Sequence, residues 1–240
     1  MREKRIIAMI PARTGSERLR YKNLRLLRNK PVISYAIEAA KKANIFDDII
    51  LNSDGICFNE IAKRHKVKFY HRPAELANSQ TRSDDVIADF MERFDGDVLV
   101  WVNPIAPLQP AEEINNAVSH FLKYELDTLI TVKNEQTHCL YKGLPINYDT
   151  EELFAKTQDL IPVQCMVYSV MMWRYSSFLD HYAKNGYALL SGKVGYFPVS
   201  FFSTIILKHE EDIQLAEAVL LGRENDVKPA YDPVAEILRS

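Results

Sequence analysis

No apolar run in this 240-residue chain is long enough to cross a bilayer. The charged stretch Arg2–Arg5 leads straight into a strand pattern, with no signal-peptide core and cleavage site behind it, which predicts a cytoplasmic protein. Only three cysteines are present, Cys57, Cys139 and Cys165, widely spaced and without a C-x-x-C pair, as expected of reduced thiols. The histidines show no metal-binding spacing. A formal net charge of −2 leaves no basic surplus to displace counterions, so nucleic acid is not the expected partner, and the lack of a spanning run removes the membrane as one. Internal repeats and low-complexity segments are absent. Walker A and G-x-G-x-x-G sequences are missing too, which removes two common forms of phosphate loop.

What remains is ordinary globular material, 47% hydrophobic and 26% charged, read as a single domain over residues 1–240. Short apolar runs alternate with helical patterns. Strands are predicted at Ile6–Ile10, Ile49–Asn52, Val67–Tyr70, Val98–Val102, Thr128–Val132, Val163–Val170 and Tyr196–Phe202. Helices are predicted from near Pro31 through Ala40, at Phe58–His65, after a cap at Ser83 or Asp84, at about Ala111–Tyr124, and as an amphipathic Glu210–Leu221. Strand, helix, strand in this order implies α/β; a doubly wound, mostly parallel sheet. Val98–Val102 is apolar on both faces and reads as a central strand, with Trp101 as core rather than a stacking platform. Residues 133–160 break the pattern as a long polar excursion, and residues 222–240 form a tail with no assigned structure. A ligand is expected beyond the carboxyl ends of the strands, where Pro11–Asn23, Ser53–Asp54 and Asn103–Gln109 gather.

The loop after the first strand concentrates cations: Arg13, Arg18, Arg20 and Lys22 surround Gly15 and Ser16. Such a loop suits a polyphosphate, because glycine lets backbone N–H groups approach and Arg and Lys supply charge. Its ordered residues Pro11, Ala12, Arg13, Gly15, Ser16, Arg18, Leu19, Lys22 and Asn23 resemble the signature of the CMP-sugar synthetases, with Glu17 where that family has Lys. These are cytidylyltransferases that activate sialic acid and related nonulosonic acids with CTP. The resemblance covers roughly Ile6 to Leu221. It implies a fold of the nucleotidyltransferase (nucleotide-diphospho-sugar transferase-like) type and a homodimer packed through the excursion at residues 133–160.

The resemblance also implies roles. Arg13, Ser16 and Lys22 would hold the triphosphate, with Arg13 and Lys22 as the catalytic pair, and Asn23 would lie against cytosine. Arg72-Pro73-Ala74-Glu75-Leu76-Ala77 resembles the family's base-reading loop, giving Arg72 and Ser83 to the base; the alternative is that Arg72 pairs with Glu75. Asn103-Pro104-Ile105-Ala106-Pro107-Leu108-Gln109 resembles Q-P-T-S-P-L-R with its polar positions changed, leaving Asn103 to face the sugar. Gln158, Asp159, Pro162 and Tyr168 match the acceptor segment, with Gln158 and Tyr168 facing the sugar unless Tyr168 is core.

Before its last helix the family carries D-I-D, whose carboxylates hold Mg²⁺; this chain reads Ile206, Leu207, Lys208. Neither Ile nor Lys is an oxygen ligand, so no metal-ligating residue is identified. Mg²⁺ is expected to arrive with CTP. Lys208 can stand in for the cation, or Glu210, Glu211 or Asp212 can reach a metal, although acids in a first helical turn serve the helix dipole in any case. The expected activity is formation of a CMP-linked acidic sugar with release of pyrophosphate. The alternative is a catalytically inactive nucleotide- or sugar-binding relative acting in surface-glycan biosynthesis.

Overall fold

The run Ile6–Ala12 forms β1, and its side chains divide the core in two. Ile6, Ala8, Ile10 and Ala12 join one buried cluster, while Ile7 and Met9 join another, as the two-residue period of a strand requires. The structure, a computed structural model, describes residues 4–15, 18–226 and 230–235. After β1 come the two-residue strands β2 (Leu26–Leu27) and β3 (Lys30–Pro31), then α1 (Val32–Ala43), β4 (Asp48–Ser53), α2 (Phe58–His65) and β5 (Lys68–His71). They are followed by α3 (Ser83–Arg93), β6 (Val98–Val102), α4 (Ala111–Lys123) and β7 (Thr128–Glu135). A small hairpin, β8 (Leu140–Tyr141) and β9 (Leu144–Pro145), precedes β10 (Val163–Arg174), α5 (Tyr175–Asn185), β11 (Val194–Pro198) and α6 (Glu210–Glu224).

Seven strands form one sheet in the order β11-β7-β10-β6-β1-β4-β5. All neighbours are parallel except β10, which runs antiparallel to both β6 and β7. The doubly wound α/β reading therefore holds. On one face Ile33, Ile37, Phe58, Ile114 and Phe121 bring in α1, α2 and α4; on the other Ile87, Phe90 and Phe178 bring in α3 and α5. Each fully buried side chain of this size contributes about 1.5–3 kcal/mol relative to exposure. A third cluster of Leu19, Leu27, Leu108, Ile205, Leu207 and Ile213 pins the start of α6 under the loop after β1.

Several expectations need correction. Ser83 and Asp84 do not cap α3: Arg82 occupies that position without a side-chain bond. The buried Asp84 carboxylate instead accepts the N–H groups of Ala188 and Leu189, at 2.6 and 2.8 Å. Helix α5 was not anticipated, although Tyr175, Phe178, Leu179 and Tyr182 carry the i, i+3, i+4, i+7 spacing. The last strand is Val194–Pro198, and Phe201–Thr204 is a 3₁₀ turn. Helix α6 runs three residues beyond Leu221 to Glu224, and it buries only Ile213 and Ala216 while Leu215 and Leu221 stay exposed, so it is weakly amphipathic. The excursion holds ordered pieces, including β8, β9 and a 3₁₀ turn at Thr157–Asp159.

Candidate functional site

From β1 the chain passes to β4 and β5 on one side, then returns to β6 on the other side of β1. The loops after β1 and β6 therefore diverge beside the central strand, where a crevice opens at the carboxyl ends. A cavity of about 330 Å³ lies there. Among the described residues its lining includes Arg13, Arg18, Lys22, Arg72 and Lys208, and no Asp or Glu. Five cations facing a cavity whose described lining holds no carboxylate make an anion site.

The loop that carries Arg13 is anchored from β4. Asp54 accepts the Thr14 N–H at 3.1 Å and the Thr14 hydroxyl at 2.5 Å. Gly55 lets this approach happen, since a Cβ there would come 2.5 Å from Thr14 Cγ2. Arg13 itself reaches the Asn78 carbonyl at 3.4 Å. Ser16 and Glu17 lie outside the described residues, so the triphosphate role expected for Ser16 has no structural counterpart here.

Lys22 opens a 3₁₀ turn, and its Nζ donates to the Leu207 carbonyl at 3.0 Å. Burial is the main force on its amine, followed by the charges of Arg18 and Arg13, and together they pull its pKa down to about 8. Asn23 follows, 6% exposed, lining the cavity with its Oδ1 buried and unpaired.

Arg72 is 4% exposed and does not pair with Glu75. Its Nη2 donates to the Ala12 carbonyl at 3.0 Å and its Nη1 to Asn52 Oδ1 at 3.4 Å, with Asp54 4.0 Å away. It thereby ties the ends of β1 and β4 together beneath the cavity, and its Nε has no partner. Burial lowers the guanidinium below its ordinary value, against the attraction of Asp54. Ser83, the first residue of α3, also lines the cavity.

Trp101 meets its core expectation in part. It packs edge-on against Trp173 at 6.3 Å, as a core residue should, yet it also lines the cavity, and its buried Nε1 has no partner. Asn103 lines the cavity too and donates to the Tyr168 carbonyl at 3.1 Å. Gln158 and Tyr168 are not brought to the cavity. Gln158 is exposed, with its backbone carbonyl accepting Gln136 Nε2 at 2.9 Å. Tyr168 is not core either: it is 41% exposed and sits in the left-handed region at φ 60°, inside a bulge between Met166 and Met171. That strained backbone aims its carbonyl, rather than its ring, at Asn103.

The segment before α6 separates into two directions. Leu207 is fully buried, and its N–H donates to the Ile105 carbonyl at 2.8 Å. Lys208 turns into the cavity, whereas Ile206 does not line it. Two acids of the first turn are engaged elsewhere: Asp212 accepts the N–H groups of Lys208 and His209, both at 2.7 Å, and Glu210 holds Arg25 at 2.6 Å, while Glu211 does not line the cavity. No group of three or more His, Cys, Asp or Glu among the described residues is arranged to hold a metal ion. The donor set around the cavity does not fit a protein-held Mg²⁺. Arg18, Asn78 and Trp101 are lining residues to which sequence reasoning gave no role; Arg18 was visible in the cationic loop, and Trp101 in its place at the carboxyl end of β6.

Residues 7–161 match the cytidylyltransferase family. The N-acylneuraminate cytidylyltransferase of Streptococcus agalactiae serotype V is 27% identical over 201 residues, covering 82% of this chain and 46% of that protein. The N-acylneuraminate cytidylyltransferase of Escherichia coli O18:K1:H7 is 33% identical over 140 residues, covering 57% of this chain and 33% of that protein. The chain thus spans less than half the length of these curated relatives. Among solved structures, a CMP:2-keto-3-deoxy-manno-octonic acid synthetase complexed with CTP superposes with a TM-score of 0.70 at 12% identity, covering 91% of this chain and 99% of that one, which shows the fold.

Proposed function

The chain belongs to the cytidylyltransferase family, and from that premise we propose that it transfers the cytidylyl group of CTP to an acidic sugar of the nonulosonic acid class. The observation that carries this reading is the cavity at the carboxyl ends of β1, β5 and β6, whose charged described lining is entirely cationic. In the reaction a sugar hydroxyl oxygen attacks the α-phosphorus, the bond from the α-phosphorus to the bridging oxygen breaks, pyrophosphate leaves, and the hydroxyl proton passes to water. The obstacle is repulsion between anions, so fixed positive charge along the phosphates lowers the barrier. Arg13 and Lys22 are assigned to that task, with Ser16 as a further donor. Asn23, Arg72 and Ser83 are assigned to the base, for which the buried amide of Asn23 and the stiff Arg72 offer preorganised polar groups. Asn103 is assigned to the sugar, and Gln158 and Tyr168 to the acceptor side on motif alone. Any Mg²⁺ arriving with CTP is held by phosphate and water, since the described lining offers it no carboxylate.

Two further assignments accompany this reading. A homodimer is supported by the excursion, where Leu144, Leu153 and Phe154 are 69%, 96% and 65% exposed. A cytoplasmic setting is supported by three free cysteines, two of them exposed. No helix among the described residues is long and apolar enough to cross a membrane. The missing carboxylate pair specifically favours a second reading, a relative that binds nucleotide without turning it over.

The test is calorimetric titration with CTP against UTP, ATP and GTP, followed by pyrophosphate-release assays with nonulosonic acids. Selective CTP binding supports the assignment of the cavity, and pyrophosphate release separates transferase from silent binder. Failure of every nucleotide to bind would refute the proposal.

A further inference from the structure

Lys22 and Lys208 reach one wall of the cavity from opposite ends of the chain. Leu207 fixes both: its side chain is buried in the third cluster, its N–H is held by the Ile105 carbonyl at 2.8 Å, and its carbonyl receives Lys22 Nζ at 3.0 Å. The next residue, Lys208, has its own N–H pinned by Asp212 at 2.7 Å and sends its side chain into the cavity. The backbone around position 208 is therefore set by packing and by three hydrogen bonds.

Three nearby acids among the described residues are occupied. Asp212 serves the α6 start, Glu210 binds Arg25, and Asp54 binds Thr14. A hard divalent ion requires several oxygen ligands, and the described lining supplies no carboxylate. It supplies surplus positive charge instead, enough that burial and the neighbouring cations depress the Lys22 pKa to about 8. Positive groups crowded in this way are relieved by a bound anion.

Resting on the nucleotide reading above, we propose that Lys208, together with Lys22, supplies from the protein the positive charge that a protein-held divalent cation would place against the polyphosphate, so that metal-free CTP is a fully competent ligand. Lys208 acts as a point charge whose position is set by the Leu207 plug. An Mg²⁺ ion riding on the nucleotide is tolerated and is not needed for binding.

The experiment is CTP titration of the full chain in excess EDTA and in Mg²⁺, for wild type, Lys208→Met and Lys208→Asp, with thermal melts to verify folding. Wild-type Kd in EDTA is expected within about threefold of its Mg²⁺ value, and Lys208→Met is expected to weaken EDTA binding about tenfold, the worth of one charge-assisted contact. Lys208→Asp should regain affinity when Mg²⁺ is added. The wild-type comparison stands independently of either variant. Electron paramagnetic resonance of Mn²⁺ with the nucleotide-free protein should show only the free ion.

Wild-type affinity that collapses in EDTA, an unaffected Lys208→Met, or Mn²⁺ bound without nucleotide would each overturn the proposal. Mg²⁺-dependent CTP binding would do so while leaving the transferase reading in place. Absence of any nucleotide binding in both buffers would bring down both together.

Discussion

Lys22 ties nucleotide affinity to pH. In the ligand-free protein its amine titrates at about 8 instead of 10.5, because it is buried beside Arg18 and Arg13. A bound triphosphate supplies the missing counter-charge and returns the amine toward its ordinary value. At pH 7 the site is already protonated, and binding involves little proton transfer. At pH 9, one unit above the ligand-free value, only about a tenth of the amines carry charge, so binding must first recruit a proton. That costs about 1.4 kcal/mol, and CTP affinity is expected to fall about tenfold between pH 7 and pH 9. Near pH 8 about half a proton should be taken up per nucleotide bound, visible as a difference in binding heat between buffers of unlike ionisation enthalpy. The nucleotide's terminal phosphate is essentially ionised over this range and does not produce the fall.

Lys22→Arg supplies the control, since a guanidinium stays charged and should flatten the profile. The same shift acts on stability with a definite sign. Below pH 8 folded and unfolded chains both hold the proton, and the folded state bears the cost of burying it. Between about 8 and 10.5 the unfolded chain holds a proton that the folded chain has released, so stability should rise with pH across that window. A pH-independent wild-type affinity, or a tenfold fall that persists in Lys22→Arg, would refute the reasoning.

Arg72→Met should remove CTP binding and destabilise the protein by about 1–3 kcal/mol in urea titrations, because the Ala12 carbonyl and Asn52 lose a buried donor. Gly55→Ala should push Thr14 and the Arg13 loop aside, lowering thermal stability by roughly 1–3 kcal/mol and weakening CTP; an unchanged melt would show that the loop yields freely. Trp101→Phe should abolish most of the fluorescence change on nucleotide addition while Trp173 remains; persistence of the signal would place Trp101 out of ligand contact. Leu144→Asp with Phe154→Asp should give monomers in sedimentation velocity if the excursion forms the subunit contact, and an unchanged distribution would dismiss that surface.

The β1 strand and the cationic loop were readable because they combine a continuous apolar run with an abrupt change to Pro, Gly and Arg, all local signals. The seven-stranded sheet followed from alternation of strand and helix. Helix α5 escaped because three of its four spaced contact residues are Tyr or Leu separated by Ser, Asp and His, so the stripe looked polar. Trp101 was assigned to core from a strand pattern alone, which cannot tell the middle of a buried strand from its carboxyl end, where one edge of a large ring meets a cavity. The face that Tyr168 takes is illegible for another reason: a bulge between Met166 and Met171 breaks the alternation by which strand residues are assigned to faces. The turn of Lys208 into the cavity depends on Leu207 finding a hydrophobic socket built from Leu19, Leu27 and Leu108, contacts separated by the length of the chain.

The antiparallel strand β10 has a consequence for the chain as it leaves the ribosome. β6 and β7 are never each other's neighbours; β10 lies between them and pairs with both. Until residues 163–174 have been made, the inner edges of two apolar strands wait with their N–H and C=O groups unmatched. Direct pairing of β6 with β7 is the error that this interval invites, and it would have to unzip before β10 could enter. The nascent protein is thus most open to misassembly and to capture by chaperones after β7 emerges and before β10 does.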